Sequence, residues 1–174
     1  TIITHRNYDR IDNVSVFLIA SPIIKKWHPQ LTIGLQKQWM DIEHNSRMLS
    51  MDRPLFIGRF NNGIQFPYGW TLHVDLFFQG KGDFQNIYIN KNVFMMDASL
   101  TKSFFDDRLS FNLQGIDLTH GRKDGNVIYN KHMDLTVNNV TDSREVRLTV
   151  RYKFNTTKNK YKGKGAAEEE IRRL

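Results

Sequence analysis

The sequence predicts an all-β fold, an antiparallel up-and-down sheet of about eight strands that forms the wall of a transmembrane β-barrel. Three regularities predict it. Apolar and polar residues alternate along each strand, short and long connections alternate between strands, and aromatic residues gather at the end that carries the short connections. The alternation is cleanest in Ser143 to Phe154, S-R-E-V-R-L-T-V-R-Y-K-F. Val146, Leu148, Val150, Tyr152 and Phe154 share one parity, and Arg147, Thr149, Arg151 and Lys153 share the other. Successive side chains of a strand point to opposite faces, so one face is apolar and the other strongly basic. A basic face cannot be the core of a small sandwich, because unpaired buried charge is too costly. It can line a wet lumen while the apolar face meets lipid.

The other strands follow in order. Thr1 to Tyr8 reads as the end of a strand, and Asp9 to Asn13 as a polar turn. Val14, Val16, Leu18 and Ala20 mark the next strand, with Phe17 and Ile19 blurring its polar side. Pro22 ends pairing, since proline cannot donate to a ladder. Leu31, Ile33, Leu35 and Trp39 oppose Thr32, Gly34, Gln36 and Gln38; Lys37 interrupts the apolar side, where its stem can snorkel. Phe56 to Phe66 sets Phe56, Gly58, Phe60, Ile64 and Phe66 against Arg59, Asn61, Gly63 and Gln65. Leu72, Val74, Leu76 and Phe78 oppose Thr71, His73, Asp75 and Gln79, and Phe94, Met96, Ala98 and Leu100 oppose Met95, Asp97, Ser99 and Thr101. Leu109, Phe111 and Leu113 oppose Ser110, Asn112 and Gln114; Ile116 and Leu118 then change parity, which predicts a β-bulge at Gly115. A turn at Lys123-Asp124-Gly125-Asn126 and an excursion hairpin around Val127 to Val140 precede the last strand. A helical repeat is confined to the short Ala166 to Leu174 tail.

The tight connections are Lys25–Pro29, Pro67–Gly69 and Asp106–Asp107, and the long ones are Asp41–Pro54, Gly80–Lys91 and Thr119–Asp142. In an up-and-down sheet alternate connections share an end. Short turns at one end and long loops at the other are the pattern of an outer-membrane barrel, with turns in the periplasm and loops outside. A Greek-key sandwich has no reason to keep that order. Trp27, Phe66, Tyr68, Trp70, Phe104, Phe105, Tyr152 and Phe154 gather at the tight-turn end, as amphipathic rings do at the headgroup level. The last strand then runs from the outside down to the periplasm.

Bulk composition narrows the function classes. The 174 residues carry a formal charge of +7, much of it from Lys158, Lys160, Lys162 and Lys164 in a surface tail. No basic helix or nucleic-acid motif accompanies that charge, so no nucleic-acid partner is expected. There is no cysteine, which excludes disulfides, Cys-based zinc sites and thiol catalysis. No apolar run approaches the ~20 residues of a membrane-spanning helix, a bound that says nothing about strands.

Several runs resemble a Bacteroides-type outer membrane β-barrel family that is similar to TonB-dependent receptors. They are L-I-A-S-P (Leu18 to Pro22), P-Q-L-T-I-G-L-Q-K-Q-W (Pro29 to Trp39), F-N-N (Phe60 to Asn62), K-G-D-F-Q-N (Lys81 to Asn86), I-D-L-T-H-G (Ile116 to Gly121), Asp142 to Asn155 and Lys158 to Ala166. The resemblance spans essentially the whole chain. It implies a barrel of about twenty-two strands, of which residues 1–154 would be the C-terminal part and residues 155–174 a periplasmic tail. It further implies partners: outer-membrane lipid, a plug domain with the remaining strands, the TonB complex through an N-terminal part absent from this sequence, and the barrel-assembly machinery reading Tyr152 and Phe154. The activity implied is binding and import of a nutrient (glycan, peptide or metal chelate).

On this reading Gln36, Gln38, Arg59, Asn61, His73, Asp75, Asp97, Arg147 and Arg151 face the lumen. Leu31, Ile33, Leu35, Leu72, Val74, Leu76, Val146, Leu148 and Val150 face lipid. No catalytic residue, metal ligand or cofactor is expected. His120 and His132 share the longest loop and read as ordinary loop histidines, and Asp106-Asp107 as turn formers rather than an acid/base pair. Two rivals remain: a self-contained small outer-membrane barrel that binds or anchors, and a soluble carbohydrate-binding β-sandwich.

Overall fold

A computed structural model describes residues 10–154. The expected strand at Thr1 to Tyr8, the tail at 155–174 and its expected helical turn lie outside the described residues. Seven strands form one antiparallel meander in chain order: β1 (Asp12–Ala20), β2 (Trp27–Trp39), β5 (Leu55–Phe66), β6 (Trp70–Gln79), β9 (Val93–Phe104), β10 (Leu109–Ile116) and β13 (Glu145–Tyr152). Within the described residues β1 and β13 are its two edges. The strands extend beyond the expected bounds, and Trp27 to Gln30 belong to β2 rather than to a turn.

The three long connections are not loops but hairpins. They are β3 (Asp41–His44) with β4 (Arg47–Ser50), β7 (Gly82–Phe84) with β8 (Ile87–Ile89), and β11 (Lys123–Tyr129) with β12 (Asp134–Val140). The second and third join into a four-stranded sheet, β12-β11-β8-β7. The expected excursion hairpin is present, but its turn lies at residues 130–133 and Lys123 to Asn126 are strand. Gly125 is there for space: a Cβ would stand 2.3 Å from Asn90 Oδ1 and 2.9 Å from the Lys91 side chain.

Register keeps the two faces separate across all seven strands. The row Trp27–Ile64–Leu72–Leu100–Leu113–Leu148 crosses the apolar face. Phe17 falls on the polar face, opposite Gly34, and its ring covers that glycine. Nothing in the described chain covers the apolar face: Val146 is 76% exposed and Leu148 63%. Its hydrophobic rows would be buried in a sandwich, so the second sheet does not make one. The buried hydrophobic residues lie instead at the long-loop end, where Met40, Ile42 and Met51 pack with Leu49, Tyr88 and Tyr129.

The turns recede steadily along the sheet. The β1–β2 connection closes at the Ile24–Trp27 bridge, in the row of Ile64 and Leu100. The β5–β6 connection closes at Phe66–Trp70, two residues past Ile64, and the β9–β10 connection at Phe104–Leu109, four past Leu100. Two residues per hairpin is one per strand. With a rise of ~3.3 Å per residue and ~4.8 Å between strands, that slope inclines the strands by about 35° from the perpendicular to the line of turns, the tilt of a barrel wall.

The expected phase slip is real but lies two residues late. Gly115 keeps register opposite both Ala98 and Val146. Asp117 takes a left-handed φ of 48°, and Leu118, one residue later than regular pairing requires, donates to the Met96 carbonyl at 2.8 Å. Aspartate tolerates that conformation, so no glycine marks the bulge.

Candidate functional site

The polar face is organised as cross-strand rows. Gln30, Asn61, Asp75 and Asp97 form one, with Asn61 Nδ2 donating to Gln30 Oε1 at 3.3 Å. Gly63, His73, Ser99, Gln114 and Arg147 form the next, and Thr71, Thr101, Asn112 and Thr149 a third, closed by Asn112 Nδ2 on Thr101 Oγ1 at 2.7 Å. Arg151 lies opposite Ser110. Arg59 stands opposite Phe77, its guanidinium 5.7 Å from the ring centroid. His28, Gln30, Asn61, His73 and Asp75 line a shallow polar cavity of about 210 Å³.

All nine residues expected to face a lumen fall on this one face, and the nine expected to face lipid fall on the other. Gln38 departs from its expected exposure. It is 2% exposed; its Nε2 donates to the Gln85 carbonyl at 2.7 Å and its Oε1 accepts from the Gln85 amide at 2.7 Å. It anchors the second hairpin rather than lining open space. On the apolar face Lys37 lies 5.3 Å from the Trp39 ring centroid and 3.9 Å from Asp52. At the opposite end Lys102 lies over Trp70 and Phe104 and donates to the Tyr68 carbonyl. Tyr152 ends β13, with its ring 4.7 Å from that of Phe154.

The long-loop half of the polar face is different in character. There Phe77, Val93 and Met95 meet Phe84, Ile87 and Ile89 of the second hairpin around a cavity of about 500 Å³, with Gln79, Arg122, Lys123, Asp124, Asn126 and Thr141 as its polar lining. Two groups of residues that the sequence did not single out as functional hold this roof in place.

The first group is the K-G-D-F-Q-N run. Asp83, 1% exposed, accepts from the Arg53 amide at 2.9 Å and from its Nε at 3.1 Å, and the Arg53 guanidinium stacks 3.7 Å from the Tyr88 ring. Gln85 binds Gln38, and Asn86 both donates to the Tyr129 carbonyl at 2.9 Å and accepts the Tyr129 amide at 3.0 Å. One short run therefore ties the β4–β5 connection, β2 and the third hairpin together.

The second is the I-D-L-T-H-G run. Asp117 is fully buried; it accepts from the Gly121 amide at 2.6 Å, the Arg122 amide at 3.4 Å and the Ser143 hydroxyl, while its own amide donates to Asp97 Oδ1 at 2.7 Å. Burial pushes this carboxyl up, but the bonds from Ser143, Gly121 and Arg122, with nearby His120, outweigh it and hold the group below the ordinary range. Gly121 presses so closely on the Phe94 carbonyl that any Cβ would overlap it.

Hairpins one and three also touch directly. His44 Nδ1 meets the Asn130 carbonyl at 2.7 Å, its Nε2 lies 3.2 Å from Asp134, and Lys131 pairs with Glu43 at 2.8 Å. His120 and His132 share no metal-binding group, and among the described residues no three His, Asp or Glu side chains come together. Asp106 and Asp107 sit in the β9–β10 turn with φ of 53° and 62°.

Residues 1–152 match the family described as "Outer membrane protein beta-barrel family". The chain belongs to that family. The family is one of the bacterial outer membrane, and the open antiparallel meander is consistent with its β-barrel fold. No curated protein and no solved structure matches the chain.

Proposed function

We propose that this chain is the C-terminal part of a TonB-dependent-receptor-like barrel of about twenty-two strands that binds and imports a nutrient (glycan, peptide or metal chelate). The observation that carries the reading is the contrast between faces: bare hydrocarbon on one, and on the other polar rows beneath a roof of hairpins with a ligand-sized cavity. Ligand pockets commonly occupy roughly 300–1,000 Å³, and the cavity under the roof is about 500 Å³. A barrel of eight strands has room for its own side chains or at most one small ligand. Long charged residues such as Arg59, Arg147 and Arg151 fit a wider interior, where they would meet a plug domain or passing solute.

On this reading the apolar rows meet outer-membrane lipid, and the aromatic end with Tyr152 and Phe154 lies at the periplasmic interface, where the assembly machinery reads it. Residues 155–174 extend into the periplasm. The role is transport rather than catalysis. The test is genetic. Deleting the gene and, separately, removing TonB should each abolish growth on the same nutrient class. Growth lost in the first strain but kept in the second would sink the energised-import reading.

A further inference from the structure

We propose that the cavity beneath the second and third hairpins binds a small amphiphilic anion, an apolar body carrying one carboxylate, phosphate or sulfate. The proposal goes beyond the glycan, peptide or metal chelate of the transport reading by naming a different ligand class, and rests on that reading only for the ligand's onward passage.

The lining divides sharply by chemistry. Phe77, Val93 and Met95 rise from the barrel wall, and Phe84, Ile87 and Ile89 close the other side. These six residues supply the apolar half of an open cavity, and Gln79 and Thr141 join the charged residues and Asn126 in its polar half. The rim is cationic. Arg122 and Lys123 enter the third hairpin side by side, and among the described residues neither side chain has a carboxylate within ion-pair distance. Asp124, the acid at the same rim, accepts from Asn139 Nδ2 at 3.0 Å across the hairpin. Arg59 lies outside the lining, 5.7 Å from the Phe77 ring on the same face of the meander, and makes no ion pair either.

An apolar wall with unpaired cations at its rim discriminates by charge at one end and by shape at the other. A neutral sugar would strand its hydroxyls against Phe84 and Ile87, which costs a bond for each group left dry. A cation would meet Arg122 and Lys123. An anion with a hydrocarbon or aromatic body satisfies both ends. The rim is held in position, since the Arg122 amide is bonded to buried Asp117.

The test uses the full-length protein in lipid nanodiscs, with 6-phenylhexanoate as probe and 6-phenylhexanol as its uncharged counterpart, followed by saturation-transfer NMR and calorimetry. The acid should bind at least tenfold more tightly than the alcohol. Arg122→Gln with Lys123→Gln should erase that preference, and Ile87→Trp, which fills the chamber, should remove binding of both. Heat-modifiable migration of each variant on gels reports that the barrel is folded. Equal binding of acid and alcohol, no binding of either, or a preference that survives the double substitution would each overturn the proposal. The two readings fail separately. If the acid binds as stated but growth never depends on TonB, the transport reading falls and the anion site stands. If nutrient import is TonB-dependent and the double variant shows no change in probe preference, the anion site alone falls.

Discussion

Asp117 shows how much of this architecture one side chain can hold. Its buried carboxylate gathers the end of β10, the entry to the third hairpin and the approach to β13. A carboxyl held below its ordinary pKa contributes stability that is fully present above the unfolded value, about 3.9, and is lost as pH falls through the folded value. The corner should therefore stay closed from neutrality through pH 5 and loosen only in stronger acid. Hydrogen exchange at the Gly121 and Arg122 amides checks this. Asp117→Ala should open the corner at neutral pH, at a cost of about 2 kcal/mol, because charged-acceptor bonds are lost and donors are left dry. Such roles were only half legible. I-D-L-T-H-G and K-G-D-F-Q-N stand out as runs, but a lone Asp or Gln in a polar stretch looks the same whether it caps a loop or meets water. Gln38 illustrates this: parity gives its face correctly, while its burial depends on Gln85, forty-seven positions away.

Strands were the most legible elements, because a period of two needs only near neighbours to declare it. The apolar and polar sets of β2, β5, β6, β9, β10 and β13 are the ones the sequence indicates, and pairing carries them across the sheet without a face change. The hairpins were not legible. β7 and β8 are three residues each, too short for alternation to show, and Asp124-Gly125 imitates a turn while lying inside β11. Glycine there answers to Asn90 and Lys91, contacts that no local pattern contains. The face assignment has a direct consequence for substitution. Leu148→Arg should cost about 2–4 kcal/mol near the bilayer midplane, whereas Thr149→Arg, one residue on, should be nearly silent. Refolding equilibria of the two variants in lipid vesicles compare them, and equal tolerance would contradict the faces.

At the scale of the whole molecule, two assemblies with different solvents are joined at one level. The meander leaves one hydrocarbon face nearly bare, with its strands sloped by the receding turns. The hairpins build their own dry cluster around Met51 and knit together through Arg53, Asp83, His44 and Lys131. Loop order in the sequence correctly indicated which end is elaborate. It could not indicate that the three excursions fold into a common roof, since their mutual contacts span up to ninety positions, from His44 to Asp134.

The two edge strands of the described sheet carry a further consequence. β1 and β13 each offer a row of backbone donors and acceptors to any chain that comes alongside, next to a hydrocarbon surface that water disfavours. Synthesised by itself in a cytoplasm, this polypeptide should stack edge against edge into insoluble inclusion bodies that stain with thioflavin, and should dissolve only in denaturant. Recovery of a clear, monomeric solution without surfactant would mean that those margins are already occupied.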